Sequence, residues 1–315
     1  MFHYTILQWF FFFFLYCFLG WCFESTYVSI KDRRLTNRGF MRGPLLPIYG
    51  SGATMMLVVS APFKDNIVLT YLAGCVGATA LEYVTGVTME ALFHVRYWDY
   101  SEKKFNFQGH ICLSSTLAWG FFTILMTGVI HRPIEEVVLS LPIRVINIIT
   151  ITTLAIACAD FALSLKAAID LRIVLEKMSQ AKQEMSRLHK RLDVLIAVAG
   201  EEVGLRKDGL VENIAGIKDG ITDNLSDLIG GVERRLSVVK KAISEKPGEY
   251  WEKSKEELFE IRGKYSALRE RINIVSSMKD FFQRDMIRSN PSMTSFEHKA
   301  ELEELKKKVF ENDEE

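Results

Sequence analysis

The first 23 residues contain no Lys, Arg, Asp or Glu. They therefore lack the basic start of a secretory leader, and no small-residue cleavage site follows the run "WFFFFFLYCFLGWCF". The segment reads as a retained transmembrane helix. Excess charge of either sign is missing too: 39 Lys and Arg balance 39 Asp and Glu, which leaves no electrostatic footprint for nucleic acid. Cysteine is sparse. All five (Cys17, Cys22, Cys75, Cys112 and Cys158) lie before residue 160, at spacings that fit neither a zinc site nor a disulfide framework, and they read as small buried hydrophobes. The chain has no G-x-x-x-x-G-K-[ST] phosphate loop, so it is not expected to hydrolyse ATP itself, and no cofactor is implied.

What is present divides the chain near residue 165. The first part is apolar, with its charges bunched between long uncharged runs, and the second is evenly charged. A membrane-spanning helix needs about 20 mostly apolar residues. Segments near 4–30, 45–62, 67–93, 111–130 and 142–165 qualify, and an all-α domain of five spans is expected over 1–165. The connection after the first span carries Lys31, Arg33, Arg34, Arg38 and Arg42, and that after the third carries Arg96, Lys103 and Lys104. Basic residues favour the cytoplasmic side, which places the N-terminus outside and residue 166 onward inside. The expected setting is a multi-pass protein of a bacterial cytoplasmic membrane, in contact with the lipid bilayer.

Residues 166–289 read as cytoplasmic coiled-coil helices, with breaks at 200–209 and 247–248, and residues 290–315 as a charged C-terminal segment. Steps of three and four connect Leu171, Val174, Met178, Ala181, Met185, Leu188, Leu192 and Leu195, a heptad seam. A second seam joins Leu258, Ile261, Tyr265, Leu268, Ile272, Val275, Phe282 and Met286. Between them, Ile214 to Ile243 follows an eleven-residue period. Such seams suit a hairpin within one chain, a homo-oligomer, or a partner protein.

Ionisable residues inside spans are costly and mark functional or pairing sites. Glu24, Glu82, Glu90 and Asp160 fall in three expected spans, each toward the cytoplasmic end. Gly74, Ala78, Glu82, Gly86, Glu90 and His94 recur every fourth residue along one face, and Gly20 with Glu24 repeats the small-then-acid pattern. Asn37, Arg38 and Arg42 precede "GPLLPIYG", whose glycines and prolines suit a non-helical segment folded back among helices, with the arginines as partners for the acids. Trp98, Asp99, Tyr100, Asn106 and His110 lie on the same side. Glu90 and His94 have ligand-like spacing, with His110 as a third candidate, so a metal-dependent membrane enzyme is one alternative. A static ion-pair cluster that locks helices together is another.

The motifs "GWCFE" at 20–24, "NRGFMRGPLLPIYG" at 37–50, "LEYVTGVTMEALF" at 81–93, "YWDYS" at 97–101 and "FNFQGHICL" at 105–113 together resemble the bacterial putative ABC-transporter permease family, the type IV, CmpB-like group. The resemblance covers residues 5–165. It implies a cytoplasmic-membrane protein of about five spans, with transport as the expected role and a separate ATPase subunit as the partner. It supplies no catalytic residues and does not reach the tail. The competing expectation is a membrane-anchored scaffold or signalling protein that presents its coiled coil to partners.

Overall fold

The computed structural model describes residues 4–63, 65–202, 225–245, 249–276 and 281–311. Most of the expected break at 200–209, the break at 247–248, and residues 214–224 of the eleven-residue repeat lie outside them. The chain forms two compact units, Met1–Arg172 with Asp280–Glu297, and Ile173–Lys279 with His298–Glu315.

The first unit is a helical bundle. Helix α1 (Ile6–Asp32) starts at a capping box in which Thr5 Oγ1 accepts from the Gln8 N–H and the Gln8 side chain accepts from the Thr5 N–H. It stops at Arg33, whose φ of 53° is left-handed. Helix α2 (Pro47–Ser60) opens on a proline, which needs no donor in the first turn. Helix α3 (Ile67–Phe93) begins at Asn66, whose Oδ1 accepts from the Val68 and Leu69 N–H groups, and it ends at His94 with φ 55°. Helix α4 (Leu113–Leu125) passes through a π turn (Met126–Ile130) into α5 (His131–Ser140). Pro133 explains the change of winding: it cannot donate to the Val129 carbonyl, and the helix widens just before it. Helix α6 (Ile143–Glu202) belongs to this unit up to Arg172.

Among the described residues, four helical stretches are long and apolar enough to cross a membrane: Ile6–Asp32, Ile67–Phe93, Leu113–Ser140 and Ile143–Leu195. Phe10, Phe18, Val76, Val84, Phe121, Ile148 and Ile156 point outward from them, as an apolar solvent requires. The protein is a membrane protein built from helices. The remaining expected span, 45–62, contains the 14-residue α2, about 21 Å long at 1.5 Å per residue, against a hydrocarbon core of roughly 30 Å. Its shortness has a local cause, because the chain enters α2 at depth. The Leu46 N–H donates to the Cys17 carbonyl halfway along α1, so residues 35–46 have already run back beside that helix. Helix α2 then packs between α1 and α3.

Phe12, Tyr16, Ala53, Met56, Leu57, Ala78, Met126, Val138 and Ile146 form the main core. A smaller one, Phe14, Met41 and Ala157 with Phe13, Phe40, Leu45 and Leu154, ties the non-helical segment to α1 and α6.

The second unit is also helical: the remainder of α6, α7 (Leu225–Glu245), α8 (Glu249–Ser276) and α10 (Lys299–Glu311). On α6 its buried stripe is Leu175, Met178, Ala181, Met185, Leu188 and Leu192, with Leu175 in the place the heptad reading gave to Val174. Leu228, Val232 and Val239 face inward from α7, and Ile261, Tyr265, Leu268 and Ile272 from α8. Arg235 bonds Asp193 at 2.5 Å and Arg191 bonds Glu257 at 3.0 Å across helices.

Helix α9 (Phe281–Ser289) and residues 290–297 belong to the first unit. The sequence reading placed Met286 on the tail seam and 290–297 in the charged terminus. Met286, Ile287 and Met293 are instead buried with the membrane bundle, and Tyr97 Oη lies 3.7 Å from the Met286 sulfur.

Candidate functional site

Polar groups gather at the end of the bundle where α1 and α3 finish and α4 begins. Irregular backbone makes this possible. Beside α1, the Thr36 N–H bonds Ser29 Oγ at 2.9 Å and the Arg38 N–H bonds Ser25 Oγ at 3.1 Å. Trp21 Nε1 donates to Asn37 Oδ1, and Asn37 Nδ2 donates to the Arg42 carbonyl, both at 2.6 Å. Asn37 is thus a staple for the loop. Gly20 lets the chain come close: a Cβ there would lie 2.3 Å from the Tyr49 ring.

Three sets of side chains follow. In the first, Glu24 accepts from Tyr49 Oη at 2.7 Å and faces Arg38 Nε at 3.6 Å. Arg38 also reaches the Ser289 carbonyl and Asn290 Oδ1, each at 3.2 Å, and Ser292 Oγ at 3.1 Å. Asn290 Nδ2 donates in turn to the Gly39 carbonyl at 2.9 Å.

Glu82 is the centre of the second set and is 6% exposed. One of its oxygens accepts from Tyr100 Oη at 3.1 Å, and the other from Trp119 Nε1 at 3.0 Å. Ser115 Oγ lies 3.2 Å from that second oxygen and 2.9 Å from the Cys112 carbonyl, so its one proton serves one acceptor at a time. Among the described residues Glu82 has no ion-pair partner. Burial first, then the Glu82 carboxylate and its hydrogen bond, push the Tyr100 phenol up, and Glu24 adds to this. Tyr100 therefore remains a donor at ordinary pH.

The third set surrounds Glu90, which accepts from Arg96 Nε at 2.8 Å and lies 3.0 Å from His110 Nε2. Arg96 also meets Asp99 at 3.5 Å. Burial alone would raise the Asp99 carboxyl, but hydrogen bonds from Ser101 Oγ and N–H, with the Arg96 charge, hold it below its usual range. Burial lowers His110, against the opposing pull of Glu90. Gly86 leaves room for this packing, since a Cβ would fall 2.9 Å from His110 Nδ1 and 3.3 Å from Trp98. Trp98 Nε1 donates to the His110 carbonyl at 3.0 Å. The short hairpin of β1 (Asn106–Phe107) and β2 (Ile111–Cys112) presents His110. Its turn needs Gly109, which has φ 74° and whose Cβ would meet Arg96 and Ser101 at 2.5 Å. Asn106 bonds Ser101 and Lys103 carbonyls and the Gly109 N–H, which makes it a loop staple like Asn37.

Several sequence candidates lie elsewhere. Asp160 accepts the Gly43 N–H at 2.9 Å, and Arg42 reaches the Leu163 carbonyl at 3.2 Å, both on α6. Gly74 accommodates Thr123 and Ala78 lies in the main core, away from the acids. His94 does not continue the four-residue stripe toward Glu90. Helix α3 has ended, and the left-handed cap turns its imidazole to Glu297. His94 and His110 therefore have different carboxylate partners, and Glu90 is shared between Arg96 and His110.

Sequence reasoning missed Tyr49, Ser115, Trp119 and the 289–292 segment. Trp119 was findable, since it lies about two turns into a helix that packs on α3. The partners of Arg38 had no local signal.

Neither curated proteins nor solved structures give a match to this chain. A family model described as Putative ABC-transporter type IV matches residues 11–165, which hold most of the first span, the segment that runs back beside it, and all three sets of polar side chains except their 289–297 partners. Over that membrane domain, the chain is similar to the family described as Putative ABC-transporter type IV.

Proposed function

We propose that the protein is the membrane component of a transporter, with a polar site at the cytoplasmic side formed by Glu24, Tyr49, Glu82 and Tyr100. Glu82 carries this reading: it is a deeply buried carboxylate held by neutral donors and, among the described residues, without a cation. A carboxylate meant only to lock helices together is best matched by a fixed opposite charge, as Glu90 is by Arg96. One without such a charge keeps its attraction for a proton or for a polar or cationic group of a substrate.

In this reading α2, prolonged by the 3-10 turn Ala61–Phe63, completes a five-span topology, with the N-terminus outside. The end carrying Arg33, Arg34, Arg38, Arg42 and Arg96 is cytoplasmic, in a bacterial cytoplasmic membrane. The chain performs no catalysis, and a separate ATPase subunit supplies energy. The heptad stripes of the second unit form a coiled coil that joins copies of the chain or a partner protein.

Two variants of the gene test it. Glu82→Gln keeps the size but removes the charge and one of the two acceptor oxygens, and should abolish the cellular role while leaving the membrane domain folded. Truncation after Lys166 should leave part of that role. A harmless Glu82→Gln together with a fatal truncation would favour the anchored scaffold instead.

A further inference from the structure

The hairpin that presents His110 turns two phenylalanines away from the protein. Phe105 is 80% exposed and Phe107 is 55% exposed. Neither is loosely held. Phe107 pairs with Ile111 across the hairpin, and its ring lies 5.6 Å from the Tyr83 ring on α3. Tyr83 Oη donates to Gln108 Oε1 at 3.0 Å, and the Phe105 carbonyl accepts from the Leu113 N–H at 3.1 Å. Phe105 and Gln108 both keep a left-handed backbone, with φ 54° and 53°, which a residue with a Cβ adopts only at a cost. The tip is fixed from both sides while its largest apolar groups stay on the outside.

We propose that this tip, residues 103–107, is an anchor for anionic phospholipid in the leaflet at the arginine-rich end. Depth decides between lipid and a protein partner in the aqueous phase. Helix α3 has 27 residues and is about 40 Å long, against a hydrocarbon core of roughly 30 Å. Tyr83 lies about 15 Å before the end of α3 at Phe93. Whether the core is measured from Asn66 or centred on the helix, Tyr83 falls within it. The ring that packs on Tyr83 therefore sits at the boundary of acyl chains and headgroups, and the loop has folded back toward the membrane. Val87, one turn beyond Tyr83, and Leu113, bonded through its backbone to Phe105, are exposed and apolar as well. A soluble partner would have to reach below the headgroups to cover this surface.

Charge selects the kind of lipid. Lys103 and Lys104 are exposed beside the rings, and among the described residues neither has an ion-pair partner. Glu102 is the one acid between Ser101 and Gln108, which leaves one positive charge in excess. The nearby Asp99 carboxylate is already taken by Arg96 and Ser101. Aromatic rings suit the headgroup level, and ammonium groups suit the phosphates above it. Such an anchor would hold the 94–112 region against the bilayer, and it would serve a scaffold as well as a transporter.

The full chain, with para-fluorophenylalanine in place of Phe105 alone, is placed in nanodiscs of equal parts phosphatidylcholine and phosphatidylglycerol and read by fluorine NMR. A nitroxide carried near the top of a lipid acyl chain should broaden the signal, and a water-soluble gadolinium chelate should leave it largely unchanged. Nitroxide-labelled phosphatidylglycerol should broaden it about fivefold more than the labelled phosphatidylcholine, the factor expected of one unit of charge near an anionic surface. Lys103→Gln combined with Lys104→Gln should abolish that difference while the ring stays in lipid. Broadening by the chelate and not by lipid overturns the proposal, because the tip is then in water. A ring shielded from both agents overturns it too, because protein then covers the tip. Equal broadening by the two lipids with both lysines in place removes the anionic specificity and the proposal with it. The fluorine replaces a single hydrogen on an exposed ring and both lysines are exposed, so the fold is not at stake.

Discussion

The two ends of the membrane bundle solve one problem by different means. Each must satisfy polar groups in a place where water is scarce. The arginine-rich end does so with irregular backbone: residues 35–46 and 94–112 leave helical geometry, and guanidinium groups take up carbonyls as well as carboxylates. At the Ser140 end the groups stay on or beside helices: the buried His131 imidazole meets Tyr16 Oη at 2.7 Å and Tyr4 Oη at 3.0 Å, and Tyr4 donates onward to Glu135. Backbone irregularity is tolerated at depth where protein covers it, and the segment 281–297 contributes to that cover. The first solution is rich in partners and depends on loop geometry. The second is sparse and depends on helix phase.

The sharpest way to break the comparison is to remove the cation from the arginine-rich end. Arg96→Met leaves Glu90 with His110 alone and strips Asp99 and Ser101 of a donor. Losing one partner of a part-buried pair should cost about 3 kcal/mol, read as a lower unfolding temperature and faster proteolysis of 94–112. Next comes Gly20→Leu, which drives a side chain into Tyr49. It should cost about 1–3 kcal/mol and loosen α2 from α1, with amide exchange along Pro47–Ser60 as the measurement. Asn290→Ala removes donors to the Gly39 and Met286 carbonyls and should cost about 1–2 kcal/mol, seen as faster exchange at 286–295 with little change in α3.

The smallest effect concerns pH. Because burial holds His110 low in the folded chain, its contribution is present above the ordinary imidazole value. It is lost as pH falls through the depressed folded value, when the ring must take up charge. Stability of the 94–112 region should decline on acidification below about pH 6.5, and His110→Gln should flatten that slope. A slope unchanged by the substitution would assign the sensitivity to another group.

Helical spans were readable because bilayer thickness dictates a length of apolar sequence, and Ile67–Phe93 shows it without ambiguity. The family motifs were readable for a similar reason: short runs such as "FNFQGHICL" keep staples and turn residues together. Features set by three-dimensional contacts left no such mark in the sequence. The stripe ending in His94 assumed a helix one residue longer than the left-handed cap allows. Met286 matched a heptad phase by spacing, but spacing does not say which surface an apolar face meets. His131 fell just past the expected end of a span at 130, in what read as a connection. The π turn and the ten residues after it extend that helix to Ser140. Tyrosines inside apolar runs add little contrast to a hydropathy pattern, so Tyr4 and Tyr16 gave no warning of a polar site.

Arg38 finds its last partners 251 to 254 positions further along the chain. A ribosome adding roughly 5–20 residues per second needs on the order of tens of seconds to cover that interval. Through roughly the second half of it, once the chain up to Arg172 has been made, the bundle stands while this arginine still lacks three of its ligands. The order of manufacture thus sets a waiting period, in which chaperones, lipid phosphates or an assembling subunit meet a surface that the finished polypeptide later hides.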